Sequence, residues 1–189
     1  MKTILVEAKI ILSLISIIFC LSIWSPNVGS AAFSYKPGDI LVTDDAGVKG
    51  LVGHSGIVIN STELLHIQGP GYYPKVINIS TWTKNYKTTY VARYHNSAVG
   101  SNAAQKAIRY FKDKKIAYKI TTNPTDIDPY TYCSEIVWYS YWKAGLEYKI
   151  PESSPNGRVW KRPGIIKPYD FKNSFISGYN GFSLVYSIK

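Results

Sequence analysis

The chain has 189 residues, with 22 Lys and Arg against 12 Asp and Glu, three histidines, two cysteines and a net charge of +10. That length favours one domain with one core, and two cysteines exclude a disulfide-built scaffold. The basic excess points to anionic wall polymers or an anionic membrane surface as partners, scattered solubilising lysines being the plainer alternative.

Lys2 and Lys9 precede an apolar run over residues 10–24, which gives way to Ser25-Pro26-Asn27-Val28-Gly29-Ser30-Ala31-Ala32. A basic start, an apolar centre and a small-residue exit describe a secretory signal peptide. The run is shorter than the roughly 20 apolar residues that span a bilayer. Cleavage after Ala32 divides the chain into a leader, residues 1–32, and a domain, residues 33–189, with an uncleaved anchor as the alternative. Phe19 before Cys20 is too bulky for a lipoprotein cleavage motif. Export makes nucleic acid a poor partner. It also leaves Cys133 as the single cysteine of the mature domain, either a small buried residue or a reactive thiol.

Several short strands come first. Residues 39–43 follow the turn Lys36-Pro37-Gly38, and residues 54–60 and 63–68 form a hairpin that Gly69-Pro70-Gly71 ends. Residues 76–79 and 89–94 have the same character. The period then changes. Ser101 caps a helix to about residue 115, with Ala104, Ala107, Ile108 and Phe111 inward and a lysine-rich solvated face outward. After a loop over residues 123–129 comes a second helix, capped by Asp128 or Thr131 and stopped at Gly145. Cys133, Ile136, Val137, Ser140, Tyr141 and Ala144 share one of its faces. Residues 182–188 make a last strand. Strands, then helices, then a strand predict an α+β domain with a mainly antiparallel sheet. Residues 145–181 suggest only an edge to a cleft.

Cys133 falls near the start of the second helix, where the helix dipole favours a thiolate and free N–H groups can bind an oxyanion. A core cysteine looks the same from sequence. A nucleophile needs a base, and the base needs an orienting partner. Two of the three histidines, His54 and His66, lie in the hairpin. If the loop is Asn60-Ser61-Thr62, residue 59 pairs with 63 and His66 faces Gly56. His54 is then its diagonal neighbour on the same face, roughly 7–8 Å away at the backbone. A two-residue loop would send the rings to opposite faces.

These segments resemble a family. HSGIVINSTELLHIQGPG, residues 54–71, is similar to the catalytic hairpin of NlpC-type papain-fold cysteine hydrolases. KPGDILVT, residues 36–43, resembles the strand before it, and YCSEIVWYSYWKAG, residues 132–145, resembles the nucleophile helix. The usual order is reversed here, as in the permuted YiiX/YebB-like branch and its lecithin:retinol acyltransferase relatives. The resemblance implies a circularly permuted papain-like (NlpC-type) fold whose mainly antiparallel sheet packs against the nucleophile helix. It implies Cys133 as nucleophile, His54 as base and His66 as orienting group, with Glu63 in place of His66 if the register slips. Tyr132 is a candidate oxyanion donor, with simple packing as the alternative, and His95 has no catalytic part. No cofactor is implied. A zinc site from His54, His66 and Cys133 lacks any tight ligand spacing.

The chemistry this implies is attack on an acyl carbon and release of an acyl-enzyme by water. Export and charge favour amide bonds in cell-wall peptides as substrate. The alternatives are an acyltransferase or lipase-type enzyme, for which 16 Tyr and 5 Trp could line a groove, and a non-catalytic wall-binding module.

Overall fold

A computed structural model describes residues 33–45 and 53–189; the signal-peptide reading, on residues 1–32, lies outside the described residues. Four strands, β1 (Ile40–Thr43), β2 (His54–Val58), β3 (Glu63–His66) and β4 (Lys75–Asn78), lead into helix α1 (Ile79–Asn85) and strand β5 (Thr89–Tyr94). Helix α2 (Ser97–Phe111) follows, then the two-residue strands β6 (Ala117–Tyr118) and β7 (Tyr130–Thr131) and helix α3 (Cys133–Lys143). A hairpin of β8 (Ile150–Ser154) and β9 (Gly157–Lys161), short helices α4 (Pro168–Lys172) and α5 (Ser174–Tyr179), and strand β10 (Phe182–Ile188) complete the chain.

The architecture is α+β. Six strands form one antiparallel sheet in the order β10-β5-β1-β2-β3-β4. Strand alternation splits its side chains into two cores. Ile40, Val42, Ile57, Leu65, Ile67 and Ala92 face α2 and α3. Leu41, Val58, Leu64 and Val91 face the opposite way, against Ile79 and Trp82 from α1. Because both faces are covered, all four residues of β1 and all five of β2 are buried. Among the described residues, no helix is long and apolar enough to cross a membrane.

Two helices differ from expectation. Helix α2 starts at Ser97, a turn earlier than predicted, because Asn96 accepts hydrogen bonds from the N–H groups of Ala98 (3.0 Å) and Val99 (3.2 Å). It also ends at Phe111 rather than near residue 115, and its buried stripe is Gly100, Ala103, Ala104, Ala107 and Phe111. Ile108, predicted inward, is exposed. Helix α3 has no single apolar face, since every residue from 133 to 141 is buried. It is wrapped by the sheet, α2 and the later chain, a setting that selects an apolar surface all round. Two of its polar side chains are satisfied at long range: Trp138 Nε1 donates to the Tyr148 carbonyl (2.8 Å) and Tyr141 Oη to the Gly38 carbonyl (2.5 Å). Gly145, with φ 94°, ends the helix as its sequence position predicts.

Candidate active site

The β2–β3 hairpin is built around Asn60. Its side chain accepts from the N–H groups of Thr62 and Glu63 (both 2.9 Å), and Ile59 N donates to the Glu63 carbonyl (2.9 Å). These bonds make the three-residue loop and set the register Ile57↔Leu65 and Val58↔Leu64, the one that puts His66 opposite Gly56. A Cβ on Gly56 would collide with Leu64 and come within 3.3 Å of the His66 Cβ, so glycine there gives His66 its room. The rings meet directly. His54 Nε2 lies 2.8 Å from His66 Nδ1, and both residues are buried. Glu63, the alternative partner, points to the other face of β3 and takes a bond from Asn60 Nδ2 (2.6 Å).

Trp82 of α1 backs the pair. Its ring stacks on His54 at a centroid distance of 5.0 Å, meets His66 edge-on at 5.8 Å, and is anchored by Nε1 donating to Thr89 Oγ1 (3.1 Å). Tyr86, 4.6 Å from the Trp82 ring, also packs against His54 at 5.5 Å. Burial in this apolar box lowers the His54 pKa to about 4 and holds His66 well below the usual histidine range, so both rings are neutral at pH 7. With Nε2 engaged by His66, Nδ1 is the nitrogen of His54 left to take a proton. In that tautomer Nε2–H donates to His66 Nδ1, and His66 carries its own proton on Nε2, which is buried without a partner.

Cys133 is the first residue of α3. The cap is Tyr132, in extended conformation and without a side-chain bond, rather than Asp128 or Thr131, because Tyr130 and Thr131 are drawn into a parallel bridge with Ala117 and Tyr118. The thiol is buried on the α3 side of the sheet, whereas the two histidines occupy the Trp82 side. Ser55, the neighbour of His54, links the two sides where the ladder between β2 and β3 stops. Alternation of hydrogen bonds along an antiparallel pair would join Ser55 to Ile67 next, but the pairing stops at Ile57↔Leu65. The freed Ser55 N–H and the Ser134 N–H face the thiol, while the Ser134 hydroxyl gives its proton to the Ile166 carbonyl. Burial pushes the thiol pKa up, and these donors pull it back. Burial, and after it a thiolate at Cys133, raise the pKa of Tyr86, which also packs against His54. Among the described residues no hydrogen bond joins Sγ to His54, and the directions of the shifts leave the thiol and both imidazoles neutral at pH 7.

The remaining candidates sort by position. Tyr132 is wholly buried and its hydroxyl accepts from Ile166 N (3.1 Å). His95 binds the Gly181 carbonyl through Nδ1 (2.8 Å) and lies away from the other histidines. Among the described residues, no cluster of three His, Cys, Asp or Glu side chains could hold a metal ion. Sequence reasoning passed over four neighbours. Ser55 carried a signal, adjacency to His54; Trp82, Tyr86 and Ile166 carried none, since each arrives from a distant segment. A fifth, Glu135, sits two residues after Cys133, buried, with Oε1 accepting from Thr121 Oγ1 (2.8 Å) and Oε2 without a partner. Burial raises its pKa to about 7.

The chain is similar to an uncharacterized 30.3 kDa protein of Bacillus thuringiensis, 27% identical over 168 residues. That match covers 82% of this chain and 58% of the relative, so the chain spans under two thirds of that protein. No solved structure matches it. The model of the lipoprotein N-acylation protein LnsA-like family matches residues 4–187, nearly the whole sequence, and the chain belongs to that family.

Proposed function

We propose that this protein is a cysteine-dependent acyl-transfer enzyme of the cell envelope, built on a circularly permuted papain-like fold. The observation that carries the reading is the buried His54–His66 pair, 2.8 Å between ring nitrogens, on a strand whose Ser55 faces the thiol at the first position of a helix. The family, described by lipoprotein N-acylation, moves the preferred substrate from a cell-wall amide to an acyl donor whose chain passes to an amine. Export through the N-terminal leader, the basic surface and the family all fit work at an anionic envelope face.

In the first half-reaction His54 Nδ1 removes the thiol proton as Sγ attacks the acyl carbon of an ester. A standing ion pair is not needed: both groups rest neutral, and the proton moves during attack. The N–H of Cys133, unpaired at the first helical position, and that of Ser134 suit the tetrahedral oxyanion. The ester C–O bond breaks, the departing alkoxide takes the proton from His54, and a Cys133 thioester remains. In the second half-reaction an amine attacks the thioester, His54 accepts the amine's proton, and the returning thiolate is reprotonated, leaving an amide. Water in place of the amine gives hydrolysis. His66 keeps the His54 proton on Nε2 and so keeps Nδ1 basic.

The test is incubation of the purified protein with acyl-labelled phospholipid and a lipopeptide bearing a free α-amine, with peptidoglycan fragments offered in parallel. Label should appear on Cys133, be released by neutral hydroxylamine, and pass to the amine. Cys133→Ala should abolish both steps, and His54→Ala should slow them about 10²–10⁴-fold. Cleavage of wall fragments with no acyl transfer would return the substrate to wall amides, and undiminished turnover by Cys133→Ala would remove the cysteine mechanism altogether.

A further inference from the structure

Residues 145–181, silent in the sequence, carry a contact made at the nucleophile itself. Both backbone polar groups of Ile166 are held by the two residues that flank Cys133. Ile166 N donates to the Tyr132 hydroxyl at 3.1 Å, and Ser134 Oγ donates to the Ile166 carbonyl at 2.8 Å, both bonds fully buried. The Ile166 side chain is itself in the core with α3. On either side the same segment packs against other parts of the chain. A Cβ on Gly164 would stand 3.3 Å from the Thr122 carbonyl, and the Tyr169 ring packs against Gly53, next to His54.

This contact supplies what the start of α3 lacks. Tyr132 caps the helix with no side-chain bond, and the first turn of a helix has no intrahelical partners for its N–H groups, so such a turn frays unless something outside it holds it. The position of Sγ depends on that turn, and a displacement of about 1 Å at a reacting atom can cost on the order of 10²-fold in rate. Buried bonds to one rigid peptide fix the side chains on both sides of the cysteine at once.

We propose that the Ile166 peptide is a clamp that seats the nucleophile, and that Tyr132 and Ser134 are positioning residues which hold Cys133 in reach of His54. The proposal rests on the reading of Cys133 and His54 as nucleophile and base. Tyr132 thereby acts through its contact with residue 166 rather than as a donor to the oxyanion.

The experiment measures the rate of iodoacetamide labelling at Cys133, located by peptide mass, in four proteins: wild type, His54→Ala, Tyr132→Phe and the double variant. Tyr132→Phe keeps the ring in the core and deletes the hydroxyl alone. The labelling rate with His54 intact, divided by the rate in His54→Ala, measures how well the base reaches the thiol. The clamp predicts that this ratio falls about tenfold when both rates are measured in the Tyr132→Phe background. Ser134→Ala should do likewise, and Ser134→Thr, which restores a hydroxyl, should recover the wild-type ratio. Amide exchange at Ile166 should accelerate at least tenfold in Tyr132→Phe. An unchanged ratio alongside faster exchange overturns the positioning role and leaves a structural bond only. Unchanged exchange overturns the clamp itself. Wild type and His54→Ala labelling equally fast points elsewhere: the base assignment fails, and the proposal falls with it, whereas a clamp failure leaves that first ratio intact.

Discussion

The two halves of the site are assembled on different length scales. The histidine half is local: one hairpin whose two histidines are twelve positions apart, an Asn60-centred loop and a glycine opposite His66 bring two rings to 2.8 Å. The thiol half is long-range: Cys133 lies against Ser55 of β2, beneath a peptide from residue 166, on a helix buried all round. Local pairing makes a histidine pair whose geometry survives small changes elsewhere. Long-range packing places a thiol whose position depends on the whole fold. The β2–β3 ladder stops two pairs from the loop side, which leaves the Ser55 N–H free to face the thiol.

The comparison can be broken most strongly through pH. In the folded protein His54 resists protonation down to about pH 4, while the unfolded chain binds that proton near pH 6.5. The folded-state pKa is the lower one, so the stability contribution is fully present above pH 6.5 and is lost as the pH falls toward 4. The loss from His54 alone is on the order of 3 kcal/mol. Urea unfolding from pH 7.5 to 4 should therefore show a steep decline, made shallower in His54→Asn, and a slope unaffected by that change would mean the ring is not buried neutral. His66, lowered by burial and by His54 and Lys75, should act in the same direction.

A smaller effect is expected from Gly56→Ala. The added methyl meets Leu64 and crowds His66, and overpacking of this kind costs about 1–3 kcal/mol. His66 NMR shifts should move while Cys133 labelling falls, because the damage is to the base and not to the thiol's seat. Normal histidine shifts in this variant would contradict the close opposition of Gly56 and His66.

Asn60→Ala probes the local half most gently. Removal of an acceptor that serves two backbone N–H groups should lower stability by about 1 kcal/mol, read from the melting temperature. The register should persist, since Leu64 and Leu65 still sort to opposite cores. A slipped register, seen as loss of the Ile57–Leu65 contact, would mean that the loop rather than the hydrophobic pattern specifies the hairpin.

How much was legible follows from the same division. Strands β5 and β10 match their predicted limits, Thr89–Tyr94 and Phe182–Ile188, because alternation and flanking turns are local signals. The hairpin was legible to its register. The start of α3 was not, because the parallel pairing of Tyr130 and Thr131 with Ala117 and Tyr118 claims the residues that looked like caps. Nor was the length of α2, where a better cap at Asn96 outcompeted Ser101. Helix α1 was missed as well, although its Trp82 backs both histidines.

The sequence by itself determined that His54 and His66 share a face of one hairpin, and that a single thiol stands at a helix start among the residues after position 32. Side-chain alternation and turn chemistry act over a few residues, and a sequence displays them directly. Only the tertiary structure decided that the histidines and the thiol occupy opposite sides of the sheet, that Ser55 faces the thiol at a gap in its ladder, and that Ile166 grips the residues beside Cys133. Those outcomes come from the packing of segments more than thirty residues apart, where contact is set by burial of both faces at once and leaves no periodic mark in the chain.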